Sequence, residues 1–221
     1  MDGENEMWDE LNIEYENAYQ DNPFKKACVA KAITLLQPGA RVLDVGCGTG
    51  IPVAKMLAEA GLDVEGTDVA PNMVSLAQRR IKGTFRVVDM VDYKPTGTYA
   101  GVFVIYSQLG LSYSAFNTTA TRLARALDPG GIMVIGQSPA DPEKVPADAP
   151  EWDDTKSYVS GFNLPFMGEP FATLMFTREG QKSYLRSLGL EIVYETVDVF
   201  QPQSAKAHAE TQQYVIAQRP L

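Results

Sequence analysis

The sequence predicts an α/β fold: a mostly parallel sheet with helices on both faces. Three observations carry the prediction. Residues 42–50 read Val-Leu-Asp-Val-Gly-Cys-Gly-Thr-Gly, an apolar run that gives way at once to a glycine turn and a helix start. From residue 41 to 137, short apolar runs alternate with helical periods, which is the rhythm of strands joined by crossover helices. Asp44, Asp68 and Asp89 each end or follow successive strands, and the carboxyl ends of parallel strands share one edge, where ligands bind.

The elements follow in order. Residues 4–19 read as a helix with Trp8, Leu11, Tyr15, Ala18 and Tyr19 near one face. Pro23 opens a second helix over 24–36, closed by Gln37-Pro38-Gly39. This N-terminal pair, residues 1–38, is expected to lie over the open sheet edge as a lid. Strands are then expected at 41–45, 63–67, 84–88, 100–106 and 131–137, with helices at 52–60, 71–81 and 115–127. Pro52 and Pro71 suit the first turns of their helices. Asp128-Pro129-Gly130-Gly131 reads as a turn before the fifth of these strands. Residues 138–176 break the rhythm, with six prolines (139, 142, 146, 150, 165, 170) and the aromatics Trp152, Tyr158, Phe162, Phe166, Phe171 and Phe176. A loop that long inside a domain is usually functional or disordered, and aromatics argue against disorder. A helix over 178–188 and strands over 190–200 and 213–219 complete the chain.

Composition narrows the function. A chain of 221 residues fits one domain, residues 1–221, with a good core. A net charge of −9 argues against nucleic-acid partners, since phosphate binding needs a basic face. The basic cluster Arg79-Arg80-Ile81-Lys82 falls at a predicted helix end, where cations complement the dipole. No apolar run approaches the ~18 residues of a membrane span, and the acidic start lacks a signal-peptide pattern. Two cysteines, Cys28 and Cys47, make no disulfide framework, so a reducing, cytoplasmic setting is expected. One histidine and no cysteine pair give no metal-site spacing.

The glycine spacing decides between nucleotides. A dinucleotide fingerprint G-x-G-x-x-G would need its third glycine at 51 or 53, which are Ile51 and Val53. The run is instead D-x-G-x-G-x-G, with Asp44 two residues before Gly46. In these residues the chain resembles the class I S-adenosylmethionine-dependent methyltransferases, and its N-terminal helical lid plus aromatic insertion is similar to the small-molecule, secondary-metabolism branch. The resemblance implies S-adenosylmethionine as cofactor, with Asp44 near its methionine ammonium and Gly46, Cys47, Gly48 and Gly50 along its sugar and amino-acid part. It implies that Asp68, 22 positions after Gly46, takes the ribose; a helix-cap role for Asp68 stands beside that. Val69 and Met73 would flank the adenine, and Asp89 and Met90 would meet its edge. Tyr106 would contact the cofactor, and the segment after it, Ser107-Gln108-Leu109-Gly110, would face the methionine end and the acceptor. The resemblance completes the fold as a seven-stranded, mostly parallel Rossmann-like sheet whose last strand runs antiparallel, between the fifth and the sixth. One departure stands out: relatives carry an acid at the start of the fourth strand, where this chain has Tyr99-Ala100-Gly101-Val102.

The acceptor is expected to be a small, flat, apolar molecule. O-methylation of an acidic hydroxyl, as on a polyketide pyrone, is the leading reading. Tyr15, Tyr19, Gln108, Trp152, Phe162 and Phe166 are the candidate acceptor residues, and ordinary core under a long loop is the other account of the aromatics. His208 is the candidate base, because it lies in a loop leaving from the cofactor edge; a solvated turn is the alternative. Two further readings remain: a cyclase or isomerase that keeps the cofactor without transferring its methyl group, and a non-catalytic partner.

Overall fold

The computed structural model describes residues 2–141, 144–167 and 169–221; Met1 and Pro142 of the readings above lie outside them. In chain order the elements are α1 (Asp2–Tyr19), α2 (Pro23–Ile33), β1 (Arg41–Val45), α3 (Val53–Glu59), β2 (Asp63–Asp68), α4 (Pro71–Arg80), β3 (Thr84–Val87), β4 (Tyr99–Ile105), α5 (Tyr113–Arg125), β5 (Leu127–Gln137), β6 (Tyr158–Phe166), β7 (Glu169–Phe176), α6 (Arg178–Ser187), β8 (Glu191–Phe200) and β9 (Glu210–Gln218). The main sheet has the order β3-β2-β1-β4-β5-β9-β8. Pairing is parallel from β3 through β5. Strand β9 runs antiparallel between β5 and β8, as expected.

Side-chain alternation builds two cores. Leu43, Val45, Val102, Val104, Met133 and Ile135 pack with Phe116, Leu123 and Leu185 of α5 and α6. Val42, Val64, Phe103, Ile105 and Val134 face the other way, onto Cys28, Val29, Leu57, Val74 and Ala77 of α2, α3 and α4. Each such buried side chain contributes about 1.5–3 kcal/mol relative to exposure, so register is strongly fixed on both faces. Polar caps set the helix starts: Asn22 accepts from the amides of Phe24 and Lys25, Ser112 from Ala115, and Thr177 from Gly180. No helix among the described residues is long and apolar enough to cross a membrane.

Two regions depart from the sequence reading. The expected turn at 128–131 lies inside β5, which pairs with Tyr99, shifts register, and resumes at Gly101. A bulge, with Gly130 at φ +76°, absorbs the Pro-Gly-Gly kink without ending the strand. The expected long loop over 138–176 folds in its second half into the antiparallel hairpin β6–β7, with Pro165 opposite Pro170 near its tip. The alternating burial of β6 is a strand signal, masked in the sequence by the density of prolines around it.

Candidate active site

The glycine turn after β1 forms the floor of the site. Gly46, Gly48 and Gly50 have φ of +68°, +54° and +81°, which L side chains rarely adopt. The amides of Gly46 and Cys47 both donate to the Thr67 carbonyl, at 2.7 and 2.9 Å, tying the turn to the end of β2. A Cβ on Gly46 would run into the Ser107 side chain, so the turn and the segment after β4 touch through bare backbone. Above them a cavity of about 170 Å³ opens at the carboxyl edge of the sheet.

The cavity wall brings together Asp44, Gly46, Cys47, Gly48, Asp68, Val69, Met73, Asp89, Met90 and Tyr106 from six separate stretches of chain. Gly50 stands behind the wall, where a Cβ would meet Ile81 of the core. Asp44 is buried, and its Oδ2 has no hydrogen-bond partner. Burial, and next the charge of Asp68, raise its carboxyl to about 7, opposed by Lys25 and the Ala54 amide. Ser107 Oγ, in the same wall, is also without a partner. Unpaired buried oxygens of this kind are costly until a donor completes them. The α-ammonium and sulfonium end of S-adenosylmethionine is cationic and carries such donors, so the residues present fit it.

Asp68 ties the glycine turn to the start of α4. Its Oδ2 accepts from the Gly48 amide at 2.7 Å and its Oδ1 from the Ala70 amide at 3.0 Å. Ala70, the residue before Pro71, is itself the cap position of α4 and has no side-chain cap bond, so Asp68 braces the turn rather than capping the helix. Each carboxylate oxygen keeps a lone pair, enough for a ribose diol. Asp89 likewise accepts from the Val91 amide, and Arg122 of α5 clamps the Met90 and Val91 carbonyls at 2.8 Å each.

A smaller cavity, about 70 Å³, adjoins the first across Trp8, Tyr15, Tyr106, Leu109 and Phe171. Its walls are aromatic: Trp8 lies 5.4 Å from Phe166 and 6.0 Å from Phe171, and Tyr15 stacks on Tyr19 at 4.8 Å. Helix α1 is held over it by polar latches to α4, with Asp9 accepting from the Asn72 amide and side chain and Glu16 paired to Arg80 at 2.7 Å. Tyr106 forms part of both walls, at a left-handed φ of +61°, its hydroxyl donating to the Gln137 carbonyl. Such a backbone costs about 1–2 kcal/mol in a non-glycine residue.

Several acceptor candidates lie elsewhere. Trp152 and Phe162 pack on the satellite core of Ala140, Val145, Val159 and Met175. Gln108 is buried and donates to the Gly136 carbonyl. His208 is exposed on the β8–β9 loop and lines neither cavity. Ser107, Leu109 and Gly110, in the segment after Tyr106, line the larger cavity, whereas Lys25 and Glu210 line the cavities without having been singled out in the sequence. Lys25 carried a signal, since it falls at helical spacing with Cys28, Val29 and Ala32 on the buried face of α2. Its ammonium lies 5.9 Å from the Tyr19 ring and 5.6 Å from that of Tyr106. Burial lowers it to about 8, against the pull of Glu210 and Asp44.

Residues 42–131 match the family described as a methyltransferase domain. Over 126 residues the chain is 28% identical to the malonyl-[acyl-carrier protein] O-methyltransferase of Serratia marcescens, a stretch that is 57% of this chain and 49% of that protein. The chain thus spans about half the length of that curated relative, and matches to two others cover 26% and 23% of theirs. Among solved structures, the 1,6-didemethyltoxoflavin-N1-methyltransferase of Burkholderia thailandensis, with its namesake compound and S-adenosylhomocysteine bound, superposes with a TM-score of 0.70 at 18% identity, covering 98% of this chain and 87% of that one. The [4+2]-cyclase SpnF superposes with a TM-score of 0.64 at 19% identity, over 89% of this chain and 80% of that one. The matched stretch, residues 42–131, holds the glycine turn, Asp44, Asp68 and Asp89, so this part of the chain is similar to methyltransferase domains, and S-adenosylmethionine is the cofactor its cradle fits.

Proposed function

We propose that the protein transfers a methyl group to a small, flat, largely apolar acceptor, and that the methylated atom is an acidic hydroxyl oxygen such as that of a pyrone. The observation that carries this reading is the aromatic chamber adjoining the cofactor cavity through Tyr15, Tyr106 and Phe171. Flat rings fill such a chamber by stacking and edge contacts.

When bound, the cofactor supplies a methyl group on a positively charged sulfur, open to in-line displacement. The chain does the rest by holding and excluding. Asp44 and Ser107 complete the ammonium end, and Asp68 the ribose. Lys25, buried between the two cavities' aromatic walls, supplies the counter-charge to the methionine carboxylate. Trp8 and Tyr15 on α1 cover the junction, so closing the lid keeps water from competing for the methyl group. Alignment of two reactants in this way accounts for a large share of the rate.

Incubation with labelled S-adenosylmethionine and a panel of phenols, enols and thiols tests the reading. Label in a phenol or enol ether supports it; label only in amines, or none with the cofactor bound, refutes it. Tight nicotinamide binding without S-adenosylmethionine binding would remove the cofactor assignment as well. A second reading, retention of the cofactor by a cyclase or isomerase, rests on the shared fold with SpnF alone, and the same assay separates it: acceptor consumed without label transfer.

A further inference from the structure

Building on that reading, we propose that Glu210 is the group that takes the acceptor's proton, and that the acceptor therefore presents a single hydroxyl to a carboxylate and apolar surface elsewhere. Glu210 opens β9 at the cofactor edge of the sheet, opposite Phe200 of β8, and lines the aromatic chamber. Among the described residues that line the chamber it is the one carboxylate; the others are aromatic, apolar or hydroxyl-bearing. A carboxylate facing aromatic rings has no structural partner to justify it except at one oxygen.

That oxygen is held by a buried relay. Asn22 Nδ2 donates to Gln212 Oε1 at 2.6 Å, and Gln212 Nε2 donates to Glu210 Oε1 at 2.6 Å. The Tyr214 hydroxyl also donates to Gln212 Oε1, at 2.7 Å, which fixes the amide's orientation. Asn22 and Gln212 are fully buried. Glu210 Oε2 accepts no hydrogen bond from any described residue. One oxygen is thus anchored and the other left for a ligand, the arrangement a positioned base needs. Burial raises the carboxyl above its usual value, while Gln212, Lys144 and Lys25 pull it back. The groups facing it are Lys25 of α2, Lys144 after β5, and the neutral phenols Tyr15 and Tyr19 of α1, Tyr106 after β4 and Tyr214 of β9.

The step balances. The acceptor O–H bond breaks, with its proton going to Glu210. The oxygen's electron pair forms the new O–CH3 bond. The S–CH3 pair stays on sulfur, giving neutral S-adenosylhomocysteine, and Glu210 later returns the proton to solvent.

The test compares wild type, Glu210→Gln and Glu210→Asp on phenols of graded acidity, with 4-nitrophenol binding to the S-adenosylhomocysteine-loaded proteins read by absorbance. The Gln variant should lose about 10²-fold or more on weakly acidic phenols and little on those already ionised, as expected for loss of a general base. Its rate should no longer rise through the acidic limb of the pH profile, and the Asp variant should keep part of both. The Gln variant should also bind the nitrophenolate anion more tightly than wild type does, because a like charge has gone. Unchanged rates and profile, or identical nitrophenol binding, overturn the proposal. If wild type binds S-adenosylhomocysteine yet neither methylates any phenol nor binds the probe, the chamber reading falls, and Glu210's role with it.

Discussion

The cofactor cavity and the proposed acceptor chamber share five wall residues but are built in opposite ways. The first is made by consecutive strand ends of one parallel sheet. Its key contacts are backbone groups and short acids within a few residues of β1, β2 and β3. The second is made by side chains from α1, the β6–β7 hairpin, the end of β5 and the start of β9, which converge from the whole length of the chain. A cradle built by local geometry is carried by a local motif. A chamber built by convergence can change its acceptor by changing one wall at a time, while the cofactor half stays in place.

The strongest way to break the first half is to add one methyl group. Gly46→Ala forces an L side chain to φ +68° and drives its Cβ into Ser107. The left-handed penalty and overpacking together cost roughly 2–5 kcal/mol, shared between the turn and the cofactor it carries. Calorimetry should show S-adenosylmethionine binding lost or nearly so. Binding close to wild type would mean the turn relaxes freely and that the close approach to Ser107 is incidental.

Removing residues 1–21 attacks the second half. It deletes Trp8, Tyr15 and Tyr19 from the chamber but keeps Asn22, which caps α2 and holds Gln212. The main sheet should still fold, judged by circular dichroism. Turnover should fall about 10²-fold, the size expected when reactants lose alignment, with cofactor affinity falling much less. Full turnover would refute the lid.

This asymmetry also explains what was legible in the sequence. Order and direction of the strands followed from period and from the resemblance, and Asp44, Asp68 and Asp89 fell where successive strands end. The β6–β7 hairpin was hidden because Pro165 and Pro170 look like strand breakers yet pair across a free hairpin edge, where no amide is missed. Glu210 was hidden because nothing local marks it; the β8–β9 loop leaves from the cofactor edge, but its histidine is the residue whose chemistry stands out in the sequence. Lys25 was hidden by its charge, though its spacing with Cys28 and Val29 placed it inside.

Asp68→Ala tests whether brace and ribose site are one group. Loss of hydrogen bonds to a charged acceptor should weaken S-adenosylmethionine binding by about 1.5–3 kcal/mol. From the sequence alone folding should be little affected. The bonds to Gly48 and Ala70 revise that: the melting temperature should drop too, because two partly buried amides lose their acceptor. Unchanged affinity with lower stability would make Asp68 a brace only.

A smaller effect comes from pH. The Asp44 carboxyl is raised to about 7, first by burial. Because the folded-state value lies above the ordinary one, the apo protein holds a proton there that an unfolded chain has lost. Charging Asp44 therefore costs stability as pH rises from about 4 to 7. The cationic cofactor prefers the ionised form, so binding expels that proton. Affinity should rise with pH below 7, by at most about tenfold per unit for one linked proton, and flatten above it. Asp44→Asn should bind weakly and without this slope. A flat profile in wild type would mean Asp44 is already ionised in the free protein.

His208 should give the smallest effect, and so it sharpens the contrast within the second half. It is the only histidine in the chain, and histidine is the residue type most used as a general base. Its loop leaves from the cofactor edge, because β8 runs parallel to the core strands through its antiparallel pairing with β9. Yet its side chain is exposed and lines neither cavity, while Glu210, two residues on, lines the chamber. If proximity and a carboxylate do the work, His208→Ala should lower the methylation rate by less than about tenfold, below the usual range for loss of a general base. The pH–rate profile should keep its shape. A loss of about 10²-fold or more, with folding and cofactor affinity intact, would mean the β8–β9 loop moves inward when both ligands are bound and carries the base from there.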